Sequence, residues 1–194
     1  IDVGKQSVNQ YARYEQLVGG VETLFKDSSD TVQKYAEQAY KTAGLSANDY
    51  MEQVTSFSAS LIQSLGGDTR KAAEYGNLAI IDMSDNANKM GTSMQMIQNA
   101  YQGFAKQNYT MLDNLKLGYG GTKTEMQRLI KDANALKEAN GEMANLTIER
   151  FGDVVEAIHL IQQHMGITGT TSKEAASTIE GSTGSMKASW QNLL

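Results

Sequence analysis

Cysteine and proline are both absent from this 194-residue sequence, and nowhere do basic residues gather into a cluster. Without cysteine there can be no disulfide or thiolate chemistry, although a chain lacking thiols can live in any compartment. Average usage near ~5% would give roughly ten prolines, so their absence leaves nothing rigid to interrupt backbone hydrogen bonding along helices. A net charge of −5 with dispersed Lys and Arg argues against a nucleic-acid binder, which needs a concentrated basic face to neutralise phosphates. No run approaches the ~18 to 20 apolar residues of a membrane span, and Ile1 opens a polar stretch unlike a signal peptide. The sequence begins at Ile1 rather than Met and stops at Asn192-Leu193-Leu194 without a capping glycine, so we expect a fragment of a longer protein.

Hydrophobic residues make up 40% and charged residues 20%, a balance that suits a folded domain rather than a disordered tail. Ala, Gln, Lys, Glu, Met and Leu fill the periodic stretches while Val, Ile and Thr are scattered, so no strand is expected. Most of the eighteen glycines fall where a 3.6-residue apolar period stops, as helix terminators do. The expected fold is all-α: about eight amphipathic helices separated by Gly-rich breaks, a compact helical array without a sheet.

The first helix is read over 5–18 with Val8, Tyr11, Ala12, Glu15 and Val18 on one side, ended by Gly19-Gly20, with a short apolar segment, Val21-Leu24-Phe25, after it. The second runs over 29–43 to Gly44. Ser46 then caps a helix whose face is Tyr50, Val54, Phe57, Leu61 and Leu65, closed by Gly66-Gly67. A long helix over 68–90 presents Ala72, Gly76, Ala79, Met83, Ala87 and Met90, a small-residue face that implies close packing. Thr92-Ser-Met-Gln95 has capping-box side chains for a helix ending near Gln107, and Thr122-Lys-Thr-Glu125 is a full match for one stopped by Gly141. A helix from about Asn145 carries the broadest apolar face, Ile148, Phe151, Val154, Val155, Ile158, Ile161 and Met165, and is expected to be deeply buried. Thr171-Ser-Lys-Glu174 caps a weak helix to about Glu180, and a last short helix holds Met186 and Trp190. These divide into N-terminal helices at 1–67, a central module at 68–141 and C-terminal helices at 142–194, or all three form one domain.

Three constellations carry residue types used in chemistry. Glu156-Ala-Ile-His159 has the Glu-x-x-His spacing of di-iron bundles, but such a site needs two copies and further carboxylates; the pair reads instead as surface side chains, and no metal or cofactor is expected. Gly118-Tyr-Gly-Gly-Thr-Lys-Thr is glycine-rich ahead of a helix, yet the Gly-x-x-x-x-Gly-Lys spacing is missing and no strand precedes it. It reads as a tight loop. Two clustered histidines offer no Ser-His-Asp set, so no catalytic residue is assigned. The ten methionines suit core filling or an adaptable binding surface.

The connector over 108–121 is the oddest segment. Six large apolar residues, Tyr109, Met111, Leu112, Leu115, Leu117 and Tyr119, crowd into eleven positions, more than a surface connector should expose. Either this chain's own core or another protein covers them. The Gly118 to Gly121 end gives the segment room to move, which favours a partner and makes these six the candidate protein-interaction residues.

The run Ala73-Glu-Tyr-Gly-Asn-Leu-Ala-Ile-Ile-Asp-Met-Ser-Asp-Asn-Ala-Asn-Lys-Met-Gly91, followed by Gln98-Asn-Ala-Tyr-Gln-Gly-Phe-Ala-Lys-Gln-Asn-Tyr-Thr-Met-Leu-Asp-Asn-Leu-Lys-Leu-Gly-Tyr-Gly-Gly-Thr-Lys-Thr-Glu-Met126, resembles the helical module of tail tape measure proteins of bacteriophages and prophages. The likeness is strongest over 68–133; the flanks Val21-Glu-Thr-Leu-Phe25 and Ser185-Met-Lys-Ala-Ser-Trp-Gln-Asn-Leu193 share it. It implies a non-enzymatic structural protein of the virion tail, made in the host cytoplasm, that occupies the tail lumen and sets tail length. Implied partners are copies of itself, tail tube subunits and tail assembly chaperones, with no specific nucleic acid and no membrane in this region. An extended helix gains about 1.5 Å per residue, whereas this region folds back at its glycines, so the length-setting part is expected to lie mostly elsewhere. A free-standing bacterial helical adaptor or effector would share the composition.

Overall fold

Apolar stripes of 3.6-residue period do become helices, held at their ends by the residue types expected there. The computed structural model describes residues 3–177 and 187–193. It contains α1 (Val3–Phe25), a 3-10 turn (Lys26–Ser28), α2 (Ser29–Thr42), α3 (Ala47–Ser64), α4 (Thr69–Met90), α5 (Met94–Ala105), a second 3-10 turn (Leu112–Leu115), α6 (Lys123–Ala139), α7 (Phe151–His164) and α8 (Thr170–Ser177). Residues 187–193 are helical too, and no strand occurs among the described residues. The fold is all-α. The expected helix end at Glu180 and the position of Met186 lie outside the described residues.

Side-chain caps set several starts. Ser46 Oγ accepts from the Asp49 amide at 3.1 Å, Asp68 Oδ1 from Lys71 at 3.0 Å and Thr122 Oγ1 from Glu125 at 3.1 Å, each satisfying a donor the helix cannot. In α5 the cap is Ser93, one residue after the expected Thr92: its Oγ takes the Met96 amide at 3.3 Å, while Thr92 is buried. Gly91 ends α4 in the left-handed region, φ 74°, where a side chain would be strained.

Three expectations need correction. Gly19-Gly20 lies inside α1 rather than ending it. Each glycine costs a helix only about 1 kcal/mol, and full burial of Val21 and Phe25 just beyond outweighs that. Of the stripe read for this helix only Val18 reaches the core: Val8, Tyr11, Ala12 and Glu15 are exposed, and Val18 makes the contact with Leu17, Val21, Leu24 and Phe25. The helix expected from Asn145 starts at Phe151, because 142–150 is captured as an irregular segment. Asn134 grips it, donating to the Leu146 carbonyl and accepting from the Leu146 amide, both at 3.0 Å, and Asp153 Oδ2 takes the Thr147 amide at 3.0 Å.

One hydrophobic cluster extends from Val21 to Ile167, so the three sequence segments share a core. Helix α4 is its axis, packed against α2, α3, α5 and α7. The close packing expected of its small-residue face is present at Gly76, where an added Cβ would stand 2.9 Å from Val54 Cγ2. On α7, Phe151, Val154, Val155, Ile158 and Ile161 are buried as expected, while Met165 is exposed.

Candidate functional site

The six connector residues are the first test of the sequence reading. Tyr109, Leu112, Leu115, Leu117 and Tyr119 are buried within this chain, Leu115 at 0% exposure, and Met111 is half-buried against the same cluster. The segment's own core therefore covers them, and the expectation that a partner does so is corrected. The physical reason is that the loop is not free to move. At its start the Tyr109 ring stacks on Phe104 and its hydroxyl donates to the Ile148 carbonyl at 3.3 Å. At its end the Arg128 guanidinium lies 4.2 Å from the centre of the Tyr119 ring and Nη2 donates to the Gly118 carbonyl at 2.8 Å. Tyr119 donates to Asp132 at 2.5 Å; burial first, then that carboxylate, push its phenol up to about 12. Glu125 Oε1 accepts from the Gly120 amide at 3.0 Å, instead of the Thr122 amide a full capping box would use. The glycine-rich loop is thus a clamped turn, and Gly121 admits no substitute: a Cβ there would fall 2.2 Å from the Thr110 carbonyl oxygen. Gly121→Ala is expected to lower the melting temperature by roughly 5 °C or more, a strain cost of about 2 kcal/mol, read by circular dichroism melts; an unchanged melt would contradict the clamp.

A second group of residues, unread in the sequence, lies on α4. Asp82, Asp85 and Asn86 are all fully buried, and together they tie three other segments to this helix. Asn86 Nδ2 donates to the Leu115 carbonyl at 2.9 Å and to Gln162 Oε1 at 2.7 Å, and Gln162 Nε2 donates to the Asp82 carbonyl at 3.1 Å. Asp85 accepts the amides of Gly169 at 2.8 Å and Thr171 at 2.9 Å. Asp82 faces His159 Nδ1 at 3.0 and 3.1 Å. Buried polar groups are costly unless paired. Here the pairing fastens the connector, α7 and the start of α8 to one helix.

Comparison with protein families, curated proteins and solved structures finds no match to this chain.

Glu156 and His159 share a turn of α7 but not a ligand. Glu156 Oε1 is 2.7 Å from Lys137 Nζ and Oε2 accepts from the Tyr75 hydroxyl at 3.3 Å, while among the described residues the imidazole's hydrogen-bond partner is Asp82. Both side chains are largely covered, which corrects the reading of a solvated surface pair. No group of three or more His, Cys, Asp and Glu able to hold a metal is gathered among the described residues. A carboxylate-oriented imidazole is also how general bases are positioned, yet His159 has no described hydroxyl or amine in hydrogen-bonding reach to activate. Its chemistry here is the sharing of a proton with Asp82.

That proton makes stability depend on pH. Burial pushes the Asp82 carboxyl up to about 6, the His159 contacts opposing and the Asp85 charge adding to the rise. His159 is raised by its hydrogen bond to Asp82, with the charges of Asp85 and Glu156 reinforcing and burial opposing. Tyr101 on α5 also faces Asp82, and Lys137 on α6 balances Glu156. Both shifted groups hold protons more tightly in the folded chain than in the unfolded one. Their contribution is full below the unfolded values and is lost as pH rises through the folded ones. From pH 5 to 8 the wild type should therefore lose stability relative to Asp82→Asn, by about 1 kcal/mol or roughly 2–4 °C in melting temperature. Paired melts across that range check it, and a difference that is flat or moves toward the wild type would contradict it.

Small and apolar residues alone do not single out the run Asp82-Met-Ser-Asp-Asn86. Its signal was present. Asp, Ser and Asn are poor helix-interior residues, and four of them in five positions of a long helix mark a place where something other than propensity holds the chain.

Proposed function

We propose that this chain is one folded region of a bacteriophage or prophage tail tape measure protein, a non-catalytic structural component of the virion tail that passes through the host cytoplasm during assembly. The observation that carries the reading is the resemblance over 68–133, together with where those residues lie. They form α4, α5, the connector and the first part of α6, and their unusual polar residues, Asp82, Asp85 and Asn86, bond the connector, α7 and the start of α8 to α4. A sequence pattern explained by internal hydrogen bonding suits a structural block. The longest helix among the described residues, α1, has 23 residues and spans only about 35 Å, so length-setting belongs to other parts of such a protein, and this region supplies a packed body that meets copies of itself, tail tube subunits or assembly chaperones. No helix among the described residues is long and apolar enough to cross a membrane.

The test is proteomics of tails purified by density gradient from a host carrying the gene. Peptides from 68–141 should co-sediment with intact tails and cross-link to tube subunits. Recovery only in the free cytoplasmic fraction would overturn the proposal and favour a helical adaptor.

A further inference from the structure

Among α1 to α8, only α8 buries none of its residues, although it lies against α2 and α4. Its contact with them is incompletely filled. A cavity of about 410 Å³ lined by Ala43, Leu45, Ala87, Met94 and Ala175 opens at the junction, and the Ser84 and Thr171 hydroxyls there are buried without a hydrogen-bond partner. What holds the helix is its N-terminal end, where the amides of Gly169, just before it, and Thr171, in its first turn, bond the two oxygens of the buried Asp85 carboxylate. Just before it Ile167 is 1% exposed and anchored in the core, and Gly169 has φ +87°, a conformation that suits a pivot.

We infer that α8 is a hinged arm that undocks from α2 and α4 as a unit while the rest of the fold stays intact, pivoting at Gly169 beyond the anchored Ile167, with Asp85 as its latch. Undocking exposes little apolar surface of the arm itself and returns the Asp85 carboxylate to water, so it proceeds by local rather than global opening. The open form uncovers the apolar side chains of Ala43, Leu45, Ala87 and Met94.

Hydrogen exchange with mass spectrometry on the whole chain tests this. Amides over 172–177 should exchange roughly 100-fold faster than those of α4 and α7. Asp85→Asn, which can accept only one of the two amides well, should speed them a further roughly tenfold and leave 151–164 unchanged. Ala175→Leu, filling the cavity, should slow them. Exchange of α8 at the rate of α4 and α7, or acceleration of every helix together in Asp85→Asn, would overturn the inference. Should Asp85→Asn fail to fold, Ala175→Leu decides: slower exchange confined to α8 supports the arm, and unchanged exchange refutes it.

Discussion

Leu115→Asp is expected to abolish the cooperative thermal melt of this chain. Leu115 is fully buried in the connector, and its carbonyl accepts from Asn86. A carboxylate placed there has no described cation beside it, and burying an unpaired charge costs several kcal/mol, comparable to the ~5–15 kcal/mol that holds a domain together. Leu115→Ala should be milder, losing roughly 2–5 kcal/mol through transfer and cavity terms. Circular dichroism melts of both variants would check the order. A Leu115→Asp chain melting within a few degrees of the wild type would mean that the connector is not part of the core.

Asn86→Ala should be the next most damaging change. It strands two buried acceptors, the Leu115 carbonyl and Gln162 Oε1, at about 1–3 kcal/mol each. A loss of roughly 2–4 kcal/mol corresponds to a fall of roughly 5–15 °C for a chain of this length. Gln162→Ala breaks the same bond, so the double variant should lose less than the sum of the two. Strict additivity in denaturant melts would show that Asn86 and Gln162 act independently, against the geometry described.

The contrast between these two predictions shows what the sequence could carry. The crowding of Tyr109, Leu112, Leu115, Leu117 and Tyr119 was visible as a demand for cover, but apolar content does not say whose surface provides it. The deciding contacts, Tyr109 to the Ile148 carbonyl and Asn86 to the Leu115 carbonyl, join positions 39 and 29 residues apart. Local capping was legible at Ser46 and Thr122, each of which satisfies an amide three residues on, and at Gly91, which closes α4; Asp68, read as the first residue of α4, caps it instead. Remote capping was not legible. The Gly152 amide in the first turn of α7 donates to Ser64 Oγ at 3.1 Å, and the first turn of α8 is held by Asp85, partners more than 80 positions away. A start signal read at Thr171, or at Asn145 for α7, therefore had no local counterpart to find. Gly19-Gly20 failed for the opposite reason, since a local rule was overruled by burial of Val21 and Phe25.

The connector, α4 and α7 form one cooperative unit within this chain. Native-state hydrogen exchange of the isolated chain under increasing denaturant measures it most directly. The amides of Leu112, Asn114 and Lys116 donate to the carbonyls of Tyr109, Met111 and Asp113. They should merge with the amides of α4 and α7 into a single opening whose free energy equals that of global unfolding. Exchange of these three amides at the rate of an unstructured peptide, while α4 and α7 stay protected, would contradict the account.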